Sequence, residues 1–395
     1  MIQGERFNSI DILKGFIVFF ILFAGALYMP ETLPVFSNAP VITPGLMISE
    51  WAVISFVFMY GMTVPFMITR KINNGIASYE ISRGILSGTI VLLVIGVLMV
   101  NAHRIDSGLS GFNSYVYSII LFCGIFLIWF RYPDEEGNFF TITGLRLLGL
   151  AMLIFILFKF RSGTYENGGS LVTGWWELPG LTGWGFLITA FTYLAFRNSI
   201  FGTAAIWIGF LLLRIFSGLG MTTFLNPVQP FIGPVTDGCF PFIMLSGTLA
   251  SIILKKYSET EFTATARGLA IYGILSLAGG IALKMTLTNP VTGINPSVIL
   301  IVNGIIIIVF LFLHWLADIK KFGYLFGAVR QAGENYFTAY LFPFLIYNLL
   351  FLAGVNVFFF REYGPVVNII ASFGVAAVMM TLSLLAIKLN IRLKI

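Results

Sequence analysis

Uncharged apolar stretches of about twenty residues recur along this chain between short polar breaks, and a helix of that length covers a hydrocarbon core about 30 Å thick. They fall near residues 10–28, 49–69, 84–101, 113–131, 143–160, 182–196, 199–217, 237–254, 265–285, 297–317, 336–354 and 365–388. Lipid offers no partner to backbone N–H and C=O groups, so each stretch is predicted to be helical. The pattern therefore predicts an all-α polytopic integral membrane protein of about twelve transmembrane helices. The sixth and seventh stretches are short and parted only around Arg197 and Asn198. That pair reads either as two spans or as one kinked or re-entrant hairpin, which lowers the count to eleven.

Composition narrows the class. Of 395 residues, 58% are hydrophobic and 10% charged, against roughly 25% charged in a soluble domain. The apolar stretches follow one another too closely for a separate soluble unit, so residues 1–395 read as a single integral domain. No small-residue cleavage site follows the first stretch, which is expected to stay as the first membrane helix. The formal charge of +6 forms no continuous basic stripe and points to no nucleic-acid partner.

The basic residues report topology, because cytoplasmic loops retain Lys and Arg. With the N-terminus inside, 17 of the 23 fall on the cytoplasmic side and Arg104, Lys159, Arg161, Arg214, Lys284 and Arg361 are left outside. An even number of spans with both termini cytoplasmic, in a cell's inner membrane, satisfies that bias. Three long outer connections, near 29–48, 161–181 and 218–236, are poor in Lys and Arg and carry aromatics such as Trp175 and Trp176. They read either as the wall of an outer cavity or as an interfacial aromatic belt. Glycines inside the stretches, including Gly88, Gly96, Gly144, Gly149, Gly279 and Gly280, read as sites of close helix packing.

Groups able to carry chemistry are few. Cys123 and Cys239 lie in or beside apolar segments and read as packing residues, with no disulfide framework or metal cluster. There are two histidines, so histidine acid–base chemistry must use one of them. His103 ends the third stretch in Asn101-Ala102-His103-Arg104-Ile105-Asp106, where Asp106 could orient the ring. His314 precedes Trp315 and Asp318 at an inner helix end and reads as an interfacial, snorkelling residue. Asp11 and Lys14 lie three apart on one helix face and are expected to pair. Glu50 opens the second helix, and Glu334 with Asn335 opens the eleventh. Most spans lack an ionisable residue at mid-depth, which argues against an ion-coupled pump but not against a facilitator or lipid flippase.

Arg6-Phe7-Asn8-Ser9-Ile10-Asp11-Ile12-Leu13-Lys14-Gly15 resembles the R-x-x-S-x-D-x-x-R-G opening of membrane acyltransferases related to heparan-alpha-glucosaminide N-acetyltransferase, with Lys14 in place of Arg. Gly45, Glu50 and Phe56-Val57-Phe58-Met59-Tyr60-Gly61 resemble a second stretch of that family, with Glu50 in an aspartate's place. Phe126–Pro133, Gly183-Trp184-Gly185, Lys284 with Asn289-Pro290, and Ala332-Gly333-Glu334-Asn335-Tyr336-Phe337-Thr338-Ala339-Tyr340-Leu341 are similar to an uncharacterised bacterial branch of the same superfamily.

The resemblance implies transfer of an acyl group, typically acetyl from cytoplasmic acetyl-CoA, to an amine or hydroxyl of an extracytoplasmic saccharide. It also implies a histidine base in the first outer loop, where this chain has Ser37-Asn38-Ala39-Pro40. Neither Asn38 nor Pro40 takes a proton at neutral pH, so His103, expected on the same outer side, becomes the substitute base. Losing a base altogether, with altered or lost activity, is the other outcome. On this reading Asn38 and His103 face the acceptor, and Glu50 and Asp106 orient polar groups. Trp175, Trp176, Lys284 and Asn289 meet the sugar, while Lys14, Arg70, Lys71 and Arg83 are available to the anionic donor. Asp11, Glu334 and Asn335 complete the motifs. A carrier or flippase for a glycan or lipid intermediate is the alternative, and the oligomeric state stays open, a homodimer included.

Overall fold

A computed structural model describes residues 7–28, 44–132, 138–163, 169, 171–172, 177–258, 262–287 and 293–394. The long helices are α1 (Asn8–Tyr28), α2 (Pro44–Asn73) and α3 (Ser78–Ala102), then, after the single turn α4 (Ser107–Ser110), α5 (Ser114–Trp129) and α6 (Phe139–Lys159). There follow α7 (Leu178–Phe196), α8 (Ile200–Gly218), the short α9 (Gln229–Thr236), α10 (Cys239–Ser258), α11 (Phe262–Thr286) and α12 (Pro296–His314). The chain closes with α13 (Gly327–Glu334), α14 (Tyr336–Leu352) and α15 (Pro365–Lys388). Every predicted stretch has its helix, and the protein is an all-α polytopic membrane protein.

Ten of these helices are long and apolar enough to cross a membrane. Two cases depart from the simple pattern. The eleventh stretch is the second arm of a broken span, α13 meeting α14 at a 72° bend. The fourth, α5, has 16 residues, about 24 Å of helix, and so is shorter than a full crossing. The sixth and seventh stretches are separate helices, each of 19 residues. Arg197 takes the left-handed turn between them at φ 51°.

Helix starts follow from local chemistry. Asn113 accepts from the Val116 N–H to open α5, Ser199 from Gly202 to open α8, and Asn295 from Ser297 to open α12. Each satisfies a donor that the first turn leaves orphaned.

Side-chain contacts sort the helix ends into two groups. Phe7 meets Phe66 and His314, and His314 meets Phe262, which joins the start of α1 and α11 to the ends of α2 and α12. At that same end Lys255 binds Thr69, Tyr193 and Asn198. The C-terminal segment lies here too, Lys394 N–H donating to Trp129 C=O and Leu393 N–H to Thr338. At the opposite end Arg361 donates to the Ala26 carbonyl, Tyr115 meets Phe351, and Ile105 pairs with Ser162. Both described chain ends therefore share one end of the bundle, as an even number of crossings requires, and α5 runs from one group to the other despite its length.

The centre is α2 against α10. Gly61 lies on the Met244 carbonyl and Gly247 on the Phe58 carbonyl, so near that a methyl group at either position would collide with backbone. This is the small-residue contact that lets membrane helices approach. Thr248 and Ser251 hydroxyls donate across it to the carbonyls of Gly61 and Met62. Ser246 gathers the next shell, accepting from Trp207 of α8 and Asn303 of α12 while donating to Phe242. Helices α6, α8 and α11 are buried along one narrow strip each and turn side chains such as Phe158, Phe201 and Leu275 outward, as lipid-facing helices do.

Among the glycines, Gly96, Gly149 and Gly280 do sit in tight contacts, whereas Gly144 faces open space. At Gly333 an added methyl would strike the Asp11 carbonyl. Gly333→Ala is therefore expected to destabilise by about 1–3 kcal/mol, the usual cost of overpacking, while Gly144→Ala is neutral or mildly stabilising. Thermal unfolding in detergent checks this; equal melting temperatures for the two variants would contradict the packing.

Candidate functional site

The end that holds both termini brings distant motif residues together. Asp11 and Lys14 pair at 3.1 Å, both largely enclosed, and the Lys14 ammonium lies 5.5 Å from the centre of the Tyr336 ring. Tyr336 meets Tyr60 edge to face at 5.8 Å. One turn further along α14, Tyr340 packs on Phe56. Thus α1, α2 and the α13–α14 junction, from the two extremes of the sequence, supply one polar line into an aromatic interior.

The junction's geometry explains why its sequence is Gly-Glu-Asn-Tyr. Gly333 allows α13 to lie against Asp11, and Asn335, at φ −120° and ψ 37°, breaks the helix. The Asn335 amide donates back to the Gln331 carbonyl. Glu334 is exposed and stands 3.6 Å from Arg330.

Below them, His314 is buried rather than snorkelling. Its Nδ1 lies 2.9 Å from Asp318, which in turn accepts from the N–H groups of Asn8 and Ser9. Asp318 thereby caps α1 from another helix, placing negative charge at the positive end of the helix dipole. Ser9 Oγ approaches the same His314 nitrogen at 3.4 Å, so serine and aspartate compete for one atom. That arrangement is not the relay of a nucleophilic triad, in which they would occupy opposite ring nitrogens.

Arg70, Lys71 and Arg83 lie around the α2–α3 turn, Arg70 and Arg83 exposed and Lys71 half-buried over Gly84. They sit at the rim, whereas Lys14 turns inward. Lys255, read from sequence as a topology marker, is instead the centre of a hydrogen-bonded knot with Thr69, Tyr193 and Asn198.

At the opposite end His103 is the C-cap residue of α3 and is exposed. The expected partnership with Asp106 is not formed. Asp106 caps α4 instead, accepting from the N–H groups of Gly108 and Leu109 at 2.8 and 3.0 Å. Glu50, expected to open the second helix, is half-buried nearly two turns inside α2 because that helix already starts at Pro44, and Lys284 is exposed in the last turn of α11. Asn38, Trp175, Trp176 and Asn289 lie outside the described residues.

Two charged groups here had no site role in the sequence, where Arg214 figured only as one of the outer cations. Arg214 is fully buried, held by Asp237 at 2.5 Å and by the Ile294 carbonyl at 2.9 Å. A buried charge so paired ties α8 to the α9–α10 junction through Asp237 and to the α11–α12 connection through Ile294, and removing either member of the ion pair strands the other. Its signal was an arginine inside an apolar run. Glu177, just ahead of α7, is 8% exposed, and no ion pair neutralises it among the described residues. Burial drives its pKa up to about 7, partly offset by the Leu178 N–H. A carboxyl raised toward neutrality by burial is a candidate for proton transfer at physiological pH.

Cys123 and Cys239 are free thiols. Among the described residues no group of three or more His, Cys, Asp or Glu side chains is placed to hold a metal ion. No protein-family model matches this chain, and no curated protein matches it in sequence.

The Glu177 shift sets a pH dependence. Between about 4.5 and 7 the folded protein keeps a proton that the unfolded chain releases, so stability falls as pH rises through that window. Glu177→Gln removes this contribution. Melting curves at pH 5 and pH 8 should show a larger loss for wild type than for the variant; parallel losses would contradict the assignment.

Proposed function

We propose that this chain is a membrane acyltransferase-like protein. It moves an acetyl or other acyl group from a coenzyme A thioester, engaged at the end that holds both termini, to a hydroxyl or amine of a saccharide at the opposite end. The convergence of Asp11 and Lys14, Tyr60, and Gly333–Tyr336 carries the reading. These residues come from three separate segments whose sequences resemble one acyltransferase family, and they meet in one place.

The end with the termini is assigned to the cytoplasm of an inner membrane. Exposed Arg70, Arg83, Lys256, Lys320, Lys321 and Lys394 crowd that face, as the positive-inside bias demands. Of the cations at the other end, Arg214, Arg161 and Arg361 are engaged by a carboxylate or carbonyls, which gives each a structural reason to be there.

In this scheme Lys14, held by Asp11, offers positive charge to the anionic donor, and Arg70, Lys71 and Arg83 attract its phosphates at the rim. Transfer to the acceptor requires loss of the acceptor's proton as its oxygen or nitrogen bonds to the acyl carbon and the thiolate departs. Glu177 takes that proton. His103, exposed and without an orienting carboxylate, lines the approach.

Purified protein in lipid, given labelled acetyl-CoA and a panel of saccharides, tests this. Transfer by wild type is expected, with Glu177→Gln slowed about 10²- to 10⁴-fold, the usual worth of a general base. His103→Ala should fall less than about tenfold, within the range of a group that does not move the proton. The reverse ranking would return the base to His103. Glycan passage across proteoliposomes without acyl transfer would replace the enzyme with a carrier.

A further inference from the structure

Where the chain leaves α12 it passes through a π-helical turn, Trp315–Ile319, and a 3-10 turn, Phe322–Phe326, before α13 begins. Beside these turns lies a recess of about 380 Å³ lined by Asn8, Ala317, Lys321, Gly323, Tyr324, Gly327 and Arg330. We propose that this recess binds the phosphoryl group of an anionic ligand at the membrane surface. The proposal does not rest on the acyltransferase reading, since it uses none of the residues assigned to that reaction.

Its chemistry is that of an anion receptor. Arg330 is steered from both sides, Nη1 donating to Asn8 Oδ1 at 3.2 Å and Nε facing Glu334 at 3.6 Å. Of the five N–H donors of a guanidinium, that leaves three with no partner among the described residues. Lys321 is exposed, and its ammonium likewise has no partner among them. Its backbone is held at φ 63°, an uncommon conformation for a residue with a β-carbon. The acid nearest in sequence, Asp318, is consumed by the N–H groups of Asn8 and Ser9 and by His314, so it does not cancel these cations.

Ala317, Gly323 and Gly327 leave the floor open because they carry little or no side chain. Helix α13 follows directly on the Phe322–Phe326 turn, and its first residue, Gly327, is itself part of the lining. Tyr324 lines the recess, and exposed Trp315, Phe322 and Leu325 belong to the same two turns, the amphipathic surroundings of a lipid–water interface. A phospholipid headgroup and a soluble phosphate ester share the required chemistry, and the experiment separates them.

Full-length protein in phosphatidylcholine nanodiscs is titrated in one arm with phosphatidylglycerol and in the other with inorganic pyrophosphate. Binding is read by native mass spectrometry and by shift in melting temperature. We expect saturable binding in at least one arm, weakened by salt, and about fivefold weaker for each of Lys321→Gln and Arg330→Gln, the usual effect of one surface cation. Lys256→Gln, an exposed cation outside the recess, should bind as wild type does. Saturation by phosphatidylglycerol alone identifies a lipid site, and saturation by pyrophosphate identifies a soluble ligand. Because Arg330 also holds Asn8, Lys321→Gln keeps the test valid if Arg330→Gln misfolds. No binding in either arm, or equal loss in Lys256→Gln and Lys321→Gln, would overturn the proposal.

Discussion

The close approach of α1 to α13 governs this molecule. Gly15 lies on the Val329 carbonyl and Gly333 on the Asp11 carbonyl, so two short faces without side chains let the first helix touch a segment more than three hundred residues away. Asp318 reinforces the contact by capping α1 from the turn after α12. Because α1 is pinned at its start, Asp11 and Lys14 are directed inward toward Tyr336. A bulkier residue at either glycine would separate α1 from α13 and draw Asp11 and Lys14 away from Tyr336.

The bilayer explains why the architecture was so legible. Where water is absent a span has no alternative to the helix, and twelve apolar stretches became twelve helices. Hydropathy reports the thickness of the hydrocarbon core and says little about where a helix continues beyond it. Hence α2 runs from Pro44 to Asn73 and α3 begins at Ser78, well outside their apolar centres. The bend at Asn335 was equally hidden, since α13 is polar and reads as a loop until it is seen packed on α1.

Functional residues divided along a different line. Pairing of Asp11 with Lys14 followed from helical spacing alone, whereas the meeting of Gly333 and Tyr336 with the first helix depends on tertiary packing that spacing does not report. Burial of charge was largely hidden because tertiary packing decides it. Glu177 and Asp318 look in the sequence like ordinary residues near helix ends and Arg214 shows only as an arginine inside an apolar run, yet Arg214 is fully enclosed, Glu177 is driven toward neutrality by desolvation and Asp318 caps a remote helix. His314 shows the same effect: four residues before Asp318, it forms a buried pair where an interfacial side chain was expected.

Sidedness measured residue by residue tests the account most directly. In sealed vesicles, with Cys123 and Cys239 replaced, single cysteines at Asn74, Lys321 and Asn390 should react with an impermeant thiol reagent from one compartment. Cysteines at His103, Met221 and Gly354 should react only from the other. A mixed pattern, above all Lys321 and Asn390 on opposite sides, would show that the termini do not share a face and that the motif residues do not form one site.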